Sequence, residues 1–173
     1  MIDVPANAIL PNSEREGLHL IWKNVRQISE CMLITKVGAH MRGRPMRGIA
    51  REDENVIWFI TAKTSHKDDE IAADSHACLC FADASKHTFV SMSGEIEMTD
   101  AKDQILALWN SGAEAYFPEG PGDPNIVLLK FVPEFGEYWD SPTNPVLLAI
   151  QFIKSKVIGE KPKLGENVKV SMG

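Results

Sequence analysis

The sequence predicts a mainly β domain with flanking helices, arranged as a closed or partly closed antiparallel barrel. The clearest sign is residues 88–98, where apolar and polar residues alternate and Val90, Met92, Ile96 and Met98 fall on one side. About six further segments have strand-like composition, and few helices lie between them. A barrel is favoured because closing a sheet on itself removes exposed strand edges.

The other strands are short runs rich in β-branched, aromatic and other apolar residues. A turn at 38–44 and a charged connection at 52–54 are hairpin-like, so neighbouring strands are expected to be antiparallel. The strands are predicted at residues 31–37, 46–51, 55–61, 77–82, 126–132 and 135–139.

Helices are predicted where apolar residues recur every three or four positions. The first, at 13–27, has Ser13 and Glu16 at capping-box spacing. Further helices are predicted at 66–73, after Asp100 and at 144–158, with a loop at 110–125. One domain is expected over residues 1–160, followed by a polar tail at 161–173 that is ordered if a short strand at 168–170 finds a partner.

The net charge of the chain and the position of its arginines indicate which class of ligand it can bind. The chain has 173 residues and a formal net charge of −6, which argues against binding to nucleic acid or to an anionic membrane. All of its arginines lie in the first third, at positions 15, 26, 42, 44, 47 and 51. An acidic protein with a local arginine cluster suits a small anionic ligand. The beginning of the chain does not resemble a secretory signal, and no apolar run reaches the ~20 residues that span a bilayer, so a cytoplasmic location is expected.

Residues 58–71, WFITAKTSHKDDEI, gather groups that can bind an anion. Thr61 ends an apolar strand, and Ser65 and Lys67 follow where a helix begins. Backbone N–H groups and the helix dipole favour an anion such as phosphate at that place. Because the arginines of residues 42–51 also lie in or beside a strand, the sequence predicts a phosphate-bearing ligand held on a β scaffold.

Each of these residues also has an ordinary structural interpretation. Ser65 could be a helix N-cap paired with Asp68, and Lys67 a solvated helix residue. The arginines could be surface residues of an edge strand. Arg44 and Arg47 are three positions apart and point to opposite faces of a regular strand, so no more than one of them can face a given site.

No catalytic residue and no metal site are predicted. The chain has no GxSxG, HExxH, GxGxxG or P-loop motif, and its histidines lack partners at metal-binding spacing. Cys31, Cys78 and Cys80 do not form the paired clusters that bind zinc, and buried free thiols are expected instead. Trp139, in the segment EYWDSP, is either a core residue or an aromatic wall for a planar ligand.

Four segments in order resemble the flavin-binding split-barrel superfamily of pyridoxamine 5′-phosphate oxidase, and more closely its general stress protein 26 branch. The resemblance covers residues from about 15 to 150, and the T-x-x-x-S-x-K spacing of its second segment is fairly specific. The segments are GRPMRGIA (43–50), WFITAKTSHKDDEI (58–71), LWNSGAEAYFPEGPGDPN (108–125) and EYWDSP (137–142).

The resemblance implies a six-stranded or slightly larger split β-barrel that forms homodimers, with two FMN sites at the dimer interface. By the same resemblance, Arg47, Ser65 and Lys67 would hold the FMN phosphate, with Thr61 beside them, and Trp139 would lie near the flavin ring. A phosphate dianion is well matched by a guanidinium, an ammonium and hydroxyl donors. The pyridoxamine phosphate oxidases usually have arginine where this chain has His66.

The same comparison predicts what the protein does not do. The oxidases bind substrate partly through an R-x-H pair near the C-terminus, whereas this chain has no arginine after Arg51 and no histidine after His87. The expected function is therefore FMN binding without oxidation of pyridoxamine phosphate. The alternatives are a flavin-dependent oxidoreductase or flavin reductase that uses NAD(P)H or another donor, and haem or deazaflavin binding on the same barrel.

Overall fold

The computed structural model describes residues 12–63, 67–140 and 166–173. Eight strands and four helices are present in these ranges, and the strands form one sheet. In chain order they are α1 (Asn12–Ile28), β1 (Glu30–Val37), β2 (His40–Arg47), β3 (Ile49–Arg51), β4 (Val56–Ala62), α2 (Lys67–Ala73), β5 (His76–Asp83), β6 (Thr88–Thr99), α3 (Lys102–Leu108), α4 (Ser111–Tyr116), β7 (Ile126–Asp140) and β8 (Glu166–Ser171).

The sheet is antiparallel throughout and curls into a split barrel. Its strand order is β2-β1-β5-β6-β7-β4-β3, with β8 added to β7. The two ends of this path, β2 and β3, are consecutive pieces of chain that only Gly48 separates. If they are counted as one bent strand, six strands form the barrel and β8 extends it. The predicted split barrel is therefore confirmed.

Gly48 lies where the bent strand leaves one neighbour for the other. Its N–H donates to the carbonyl of Ser29 at 2.8 Å. A Cβ at this position would lie 2.9 Å from Cγ2 of Ile57, which is fully buried. Glycine thus lets the chain pass close to β4 as it switches from pairing with β1 to pairing with β4.

The interior of the barrel is the main hydrophobic core. Alternate residues of the strands point into it, and α1 adds an apolar face to it. Its largest fully buried side chains are Trp22, Phe59, Phe81, Phe131, Ile21, Leu33, Ile57, Leu79, Met92 and Ile96. A second, smaller core joins the outer faces of β4 and β7 to α3, through Trp58, Ile105, Leu108 and Leu128.

The structure corrects three details of the predicted elements. β2 begins at His40, so the predicted turn at 38–44 is much shorter, and Gly38 takes a positive φ of 59° in it. The predicted loop at 110–125 contains α4, whose first turn is capped because the side chain of Asn110 accepts bonds from the N–H groups of Gly112 and Ala113.

The third correction concerns the predicted strands at 126–132 and 135–139, which are one strand, β7. The pairing between β6 and β7 shifts at Gly94, which lies opposite Pro133. Because Ser93 pairs with Phe135, Glu134 is an extra residue between the two pairs, and this bulge lets β7 continue past the proline.

Other predictions agree with the structure or lie outside it. The alternation of β6 is confirmed, and a strand is present around 168–170 as β8. The predicted helix at 144–158 lies outside the described residues. None of the helices in the described part of the chain is long and apolar enough to cross a membrane.

Candidate functional site

The predicted strand-to-helix junction is present at the rim of the barrel. β4 ends at Ala62 and α2 begins at Lys67. Thr61 is half-buried and lies on the same side of β4 as Ile57 and Phe59, which point into the barrel. Residues 64–66 lie outside the described range, so Ser65 and His66 are not placed, and the side chain of Lys67 is not described either.

A buried carboxylate fixes α2 to the barrel. Glu70, with 8% of its side chain exposed, accepts a hydrogen bond from Oγ1 of Thr35 at 2.9 Å. Arg44 forms a hydrogen-bonded ion pair with Glu70, and Nη1 of Arg42 donates to its other oxygen at 3.1 Å. Arg44 also donates to Oγ1 of Thr35 at 2.8 Å. We call these four residues the Glu70 cluster.

The Glu70 cluster keeps its carboxylate ionised. Burial alone would raise the pKa of Glu70, but the hydrogen bonds from Arg44 and Thr35, together with the charges of Arg44 and Arg42, outweigh it. The net result is a pKa below the ordinary glutamate value. A charged hydrogen-bond network therefore joins α2 to β1 and β2, and Ile71, the next residue of α2, is buried in the core.

The arginine cluster seen in the sequence is divided by the alternation of β2. Arg42 and Arg44 point toward Glu70, and the side chain of Arg44 is only 11% exposed. Arg47 is exposed and lies on the opposite face of the strand. The prediction that Arg44 and Arg47 face different ways is confirmed, and Arg47 is the arginine of β2 that is open to a ligand on the outer face.

Arg47 and Thr61 approach one rim of the barrel. Arg47 precedes the bend at Gly48 by one residue, and Ile49 pairs with Trp58, three residues before Thr61. β3 and β4 are antiparallel, so residues before Ile49 lie toward the end of β4 that carries Thr61. The last residue of β2, Arg47, therefore lies on that side. Thr61 lies on the inner side and Arg47 on the outer side, so the rim is the place that both can reach.

Trp139 lies well away from this rim within one chain. It is half-buried near the end of β7, opposite Phe89 of β6 and Asn167 of β8. Arg47 pairs with Glu30 of β1, and Ala82 of β5 pairs with Phe89. Because Cys31 pairs with Phe81, Glu30 lies level with Ala82. These five residues therefore form one row across neighbouring strands, with Arg47 at one end and Trp139 at the other.

The separation of Arg47 and Trp139 follows from that row. Three strands, β1, β5 and β6, lie between β2 and β7. Four spacings of about 4.8 Å amount to roughly 19 Å along the surface of the sheet. Within one chain, these two predicted site residues are therefore not neighbours in the sheet.

The outer face between them carries an apolar patch. Met32 is 41% exposed and Phe89 is 42% exposed, and Phe135 is exposed to a similar degree. Cys78 and Cys80 lie between them on β5, half-buried, with their Sγ atoms 3.8 Å apart. We call these five residues the outer patch. The thiols of Cys78 and Cys80 are half-buried, so the expectation of buried thiols is correct only for Cys31. Cys31 lies on the inner face, where burial raises the pKa of its thiol to about 12.

His76 pairs with an acidic side chain at the surface. His76 is exposed, and its Nδ1 lies 2.9 Å from a carboxylate oxygen of Asp74. This pairing raises the pKa of His76, and hydrogen bonds from His76 lower the pKa of Asp74. Among the described residues, no group of three or more histidine, cysteine or acidic side chains could hold a metal ion.

Comparison with known proteins identifies the family. A family model described as "Pyridoxamine 5'-phosphate oxidase like" matches residues 16–163. The chain belongs to this family. Within it, the chain is similar to general stress protein 26 of Bacillus subtilis (strain 168), with 29% identity over 89 residues. That alignment spans 47% of this chain and 60% of the relative, so it reaches less than two thirds of the relative's length.

Solved structures of this family share the fold. A structure assigned as general stress protein 26 from Jannaschia sp. CCS1 superimposes with a TM-score of 0.70 and 27% identity, covering 88% of this chain and 96% of the other. A protein related to general stress protein 26 from Clostridium acetobutylicum gives 0.68 and 20% identity, covering 90% and 94%. A general stress FMN/FAD binding protein from Xanthomonas citri gives 0.65 and 24% identity, covering 73% and 89%.

Glu70, which is bonded by three other side chains, was not identified from the sequence. Glu70 reads as one of several acidic residues in HKDDEI, and its burial depends on arginines 26 and 28 positions earlier. A weak signal was present, because Glu70 directly precedes the apolar Ile71 and the arginines at 42 and 44 share a strand face. The packing of α2 on the β1–β2 hairpin is what brings Glu70 and these arginines together.

Proposed function

We propose that this protein is an FMN-binding member of the pyridoxamine 5′-phosphate oxidase like family, of the general stress protein 26 type. The observation that supports this best is the strand register, which directs the end of β2, with Arg47, toward the end of β4, with Thr61, shortly before α2 begins. A member of the same fold carries the name FMN/FAD binding protein. The proposal assigns the FMN phosphate to that rim.

The residues at the rim fit a phosphate dianion. Arg47 offers an exposed guanidinium and Thr61 a half-buried hydroxyl. Ser65 and Lys67 are assigned as further phosphate ligands by the T-x-x-x-S-x-K motif. α2 has only seven residues, so the charged side chains rather than a helix dipole must supply most of the attraction. Arg42 and Arg44 are excluded as phosphate ligands because they bind Glu70.

A second copy of the chain completes the proposed site. Arg47 and Trp139 lie four strand spacings apart along the outer face, so we infer that they contact one FMN from different chains. The outer patch lies between them and exposes several large apolar side chains on a sheet face, which is the kind of surface that a partner covers. In a two-fold dimer that buries this face, Arg47 of one copy and Trp139 of the other would meet the same cofactor.

In this proposal the chain binds and orients, and the cofactor supplies redox chemistry when it is bound. Arg47, Ser65 and Lys67 hold the phosphate, and Trp139 contributes an apolar wall that shields the ring from water. The chain lacks an arginine after Arg51 and a histidine after His87, so we propose no oxidation of pyridoxamine phosphate. We assign no general acid or base.

The first test is the visible spectrum of the freshly purified protein, followed by titration of the apoprotein with FMN and with riboflavin. We expect a flavin spectrum and much tighter binding of FMN, since riboflavin lacks the phosphate. Equal affinity for both would contradict the phosphate site. A haem or deazaflavin spectrum, or no binding at all, would contradict the FMN assignment.

Substitutions of Arg47 and Lys67 test where the FMN phosphate binds. Arg47→Ala combined with Lys67→Ala should weaken FMN binding by about a hundredfold and leave riboflavin nearly unaffected, because each charged contact contributes roughly a factor of ten. Arg51→Ala is the matched control: Arg51 is also an exposed arginine of the bent strand, but it pairs with Val56 at the far end of β4. Anaerobic bleaching of bound flavin by NADPH or NADH would identify a reductase instead of a binding protein alone.

A further inference from the structure

The Glu70 cluster joins the two elements that carry the proposed phosphate ligands. Glu70 lies on α2, one helical turn after Lys67. Arg42 and Arg44 lie on β2, and Arg47 ends the same strand three residues after Arg44. The ion pairs between Glu70 and the two arginines therefore connect α2 directly to the strand that presents Arg47.

The chemistry of the cluster favours a positioning role over a purely stabilising one. Burying charges costs desolvation, so a buried ion pair stabilises a fold little better than apolar residues would. In this cluster Nε of Arg44 is buried and has no hydrogen-bond partner among the described residues, which adds to that cost. The cluster instead fixes the orientation of Glu70. Thr35 and the two guanidinium groups donate hydrogen bonds to both of its oxygens from fixed positions on β1 and β2.

We propose that Glu70 is a positioning residue for the cofactor phosphate. By tying α2 to β1 and β2, it sets the distance between the start of α2, where Lys67 lies, and Arg47 at the end of β2. This inference rests on the proposed function, since it concerns the same phosphate. Glu70 itself does not contact the phosphate, because the negative charges of carboxylate and phosphate would repel and its oxygens are already bonded.

The test compares FMN and riboflavin affinity in Glu70→Gln and in the wild-type protein. Glutamine keeps the size of the side chain but removes the charge that holds both arginines. We expect FMN binding to weaken by about tenfold, as for residues that orient metal ligands from a distance. Riboflavin affinity should change by less than about twofold, because the ring contacts do not depend on α2. Amide hydrogen exchange of α2 in the apoprotein should also become faster.

Matched variants separate positioning from general damage. Glu52→Gln makes the same substitution in another arginine–glutamate pair, with Arg26, and should leave both affinities unchanged. If Glu70→Gln does not fold, Arg42→Gln removes only the outer ion pair, since Arg42 is 56% exposed, and should weaken FMN binding to a smaller extent.

Each outcome has a distinct meaning. If the wild-type protein does not prefer FMN to riboflavin, the proposed function is wrong. If it does prefer FMN and Glu70→Gln keeps the same preference, the proposed function stands and the positioning role is wrong. If Glu70→Gln weakens both ligands equally, Glu70 is structural only, and the inference is again overturned.

Discussion

Arg47 and Trp139 lie in one row across the outer face of the sheet, with three strands between them. Arg47 faces Glu30 on β1, and Trp139 faces Phe89 on β6. The two side chains share a face but are separated by roughly 19 Å along it. We therefore predict that a ligand contacting both receives them from different copies of the chain.

We predict that Arg47→Ala and Trp139→Ala complement each other. Each homodimeric variant should lose most FMN affinity, because both of its sites carry a defect. A mixed dimer, purified with two different affinity tags, should have one site with both defects and one site with none. Titration should thus recover wild-type affinity at about half of the sites.

The mixed dimer also tests the alternative, in which each site is formed within one chain. If Arg47 and Trp139 of the same chain formed one site, both sites of the mixed dimer would carry one defect, and no site would regain wild-type affinity. A tagged mixed dimer of wild-type chains measures the stoichiometry of two intact sites.

We predict that the outer patch is a dimer interface and that Met32→Asp separates the copies. Met32 is a 41% exposed residue of the patch, where a buried carboxylate without a partner would be costly. Sedimentation should show a dimer for the wild type and a monomer for the variant. Leu106→Asp is the control: Leu106 is 58% exposed on α3, outside the patch, and its replacement should leave the dimer intact. Two variants with equal sedimentation would contradict the interface.

We predict that the stability contributed by Glu70 depends on pH. The pKa of Glu70 is lowered in the folded protein, chiefly because the hydrogen bonds of Arg44 and Thr35 outweigh the effect of burial. The folded state therefore binds fewer protons than the unfolded state, so this stability is fully present above about pH 5 and is lost as the pH falls through the lowered pKa. Denaturant unfolding of the wild type and of Glu70→Gln should differ by about 2 kcal/mol at pH 7.

The difference between these two proteins should shrink below about pH 4. The other carboxylates titrate in both proteins, so their contributions cancel in the comparison. A constant difference from about pH 7 to about pH 3 would show that the charge of Glu70 does not stabilise the fold.

We predict that Gly94→Ala is strongly destabilising. A Cβ at Gly94 would lie 2.1 Å from the carbonyl oxygen of Val132 and 2.9 Å from Cα of Pro133, both backbone atoms that cannot move aside cheaply. The free energy of unfolding should fall by about 3 kcal/mol or more, measured by urea denaturation. Gly122→Ala is the control, because a Cβ at Gly122 would have no neighbouring atom within 4 Å, and it should change stability by less than about 0.5 kcal/mol. Equal stability of the two variants would mean that β6 and β7 can separate locally at no cost.

The sequence alone was sufficient for the elements with a clear period. The alternation of β6 and the three-to-four-residue spacing of α1 are local, so they specify their own structure wherever they lie. The succession of strands along the chain and the T-x-x-x-S-x-K junction between β4 and α2 also followed from local composition and from the resemblance to the family. The break predicted between residues 132 and 135 is absent because a bulge at Glu134 lets β7 continue past Pro133.

Tertiary structure decided which polar residues work together. The sequence predicted that Arg44 and Arg47 face opposite sides of a strand, but it gave no sign that Arg42 and Arg44 bind Glu70. It also gave no sign that Arg47 and Trp139 are four strands apart, because the order of strands within the sheet is set by long-range pairing rather than by local sequence. Local periods determine the elements, and the packing of distant elements determines which side chains meet.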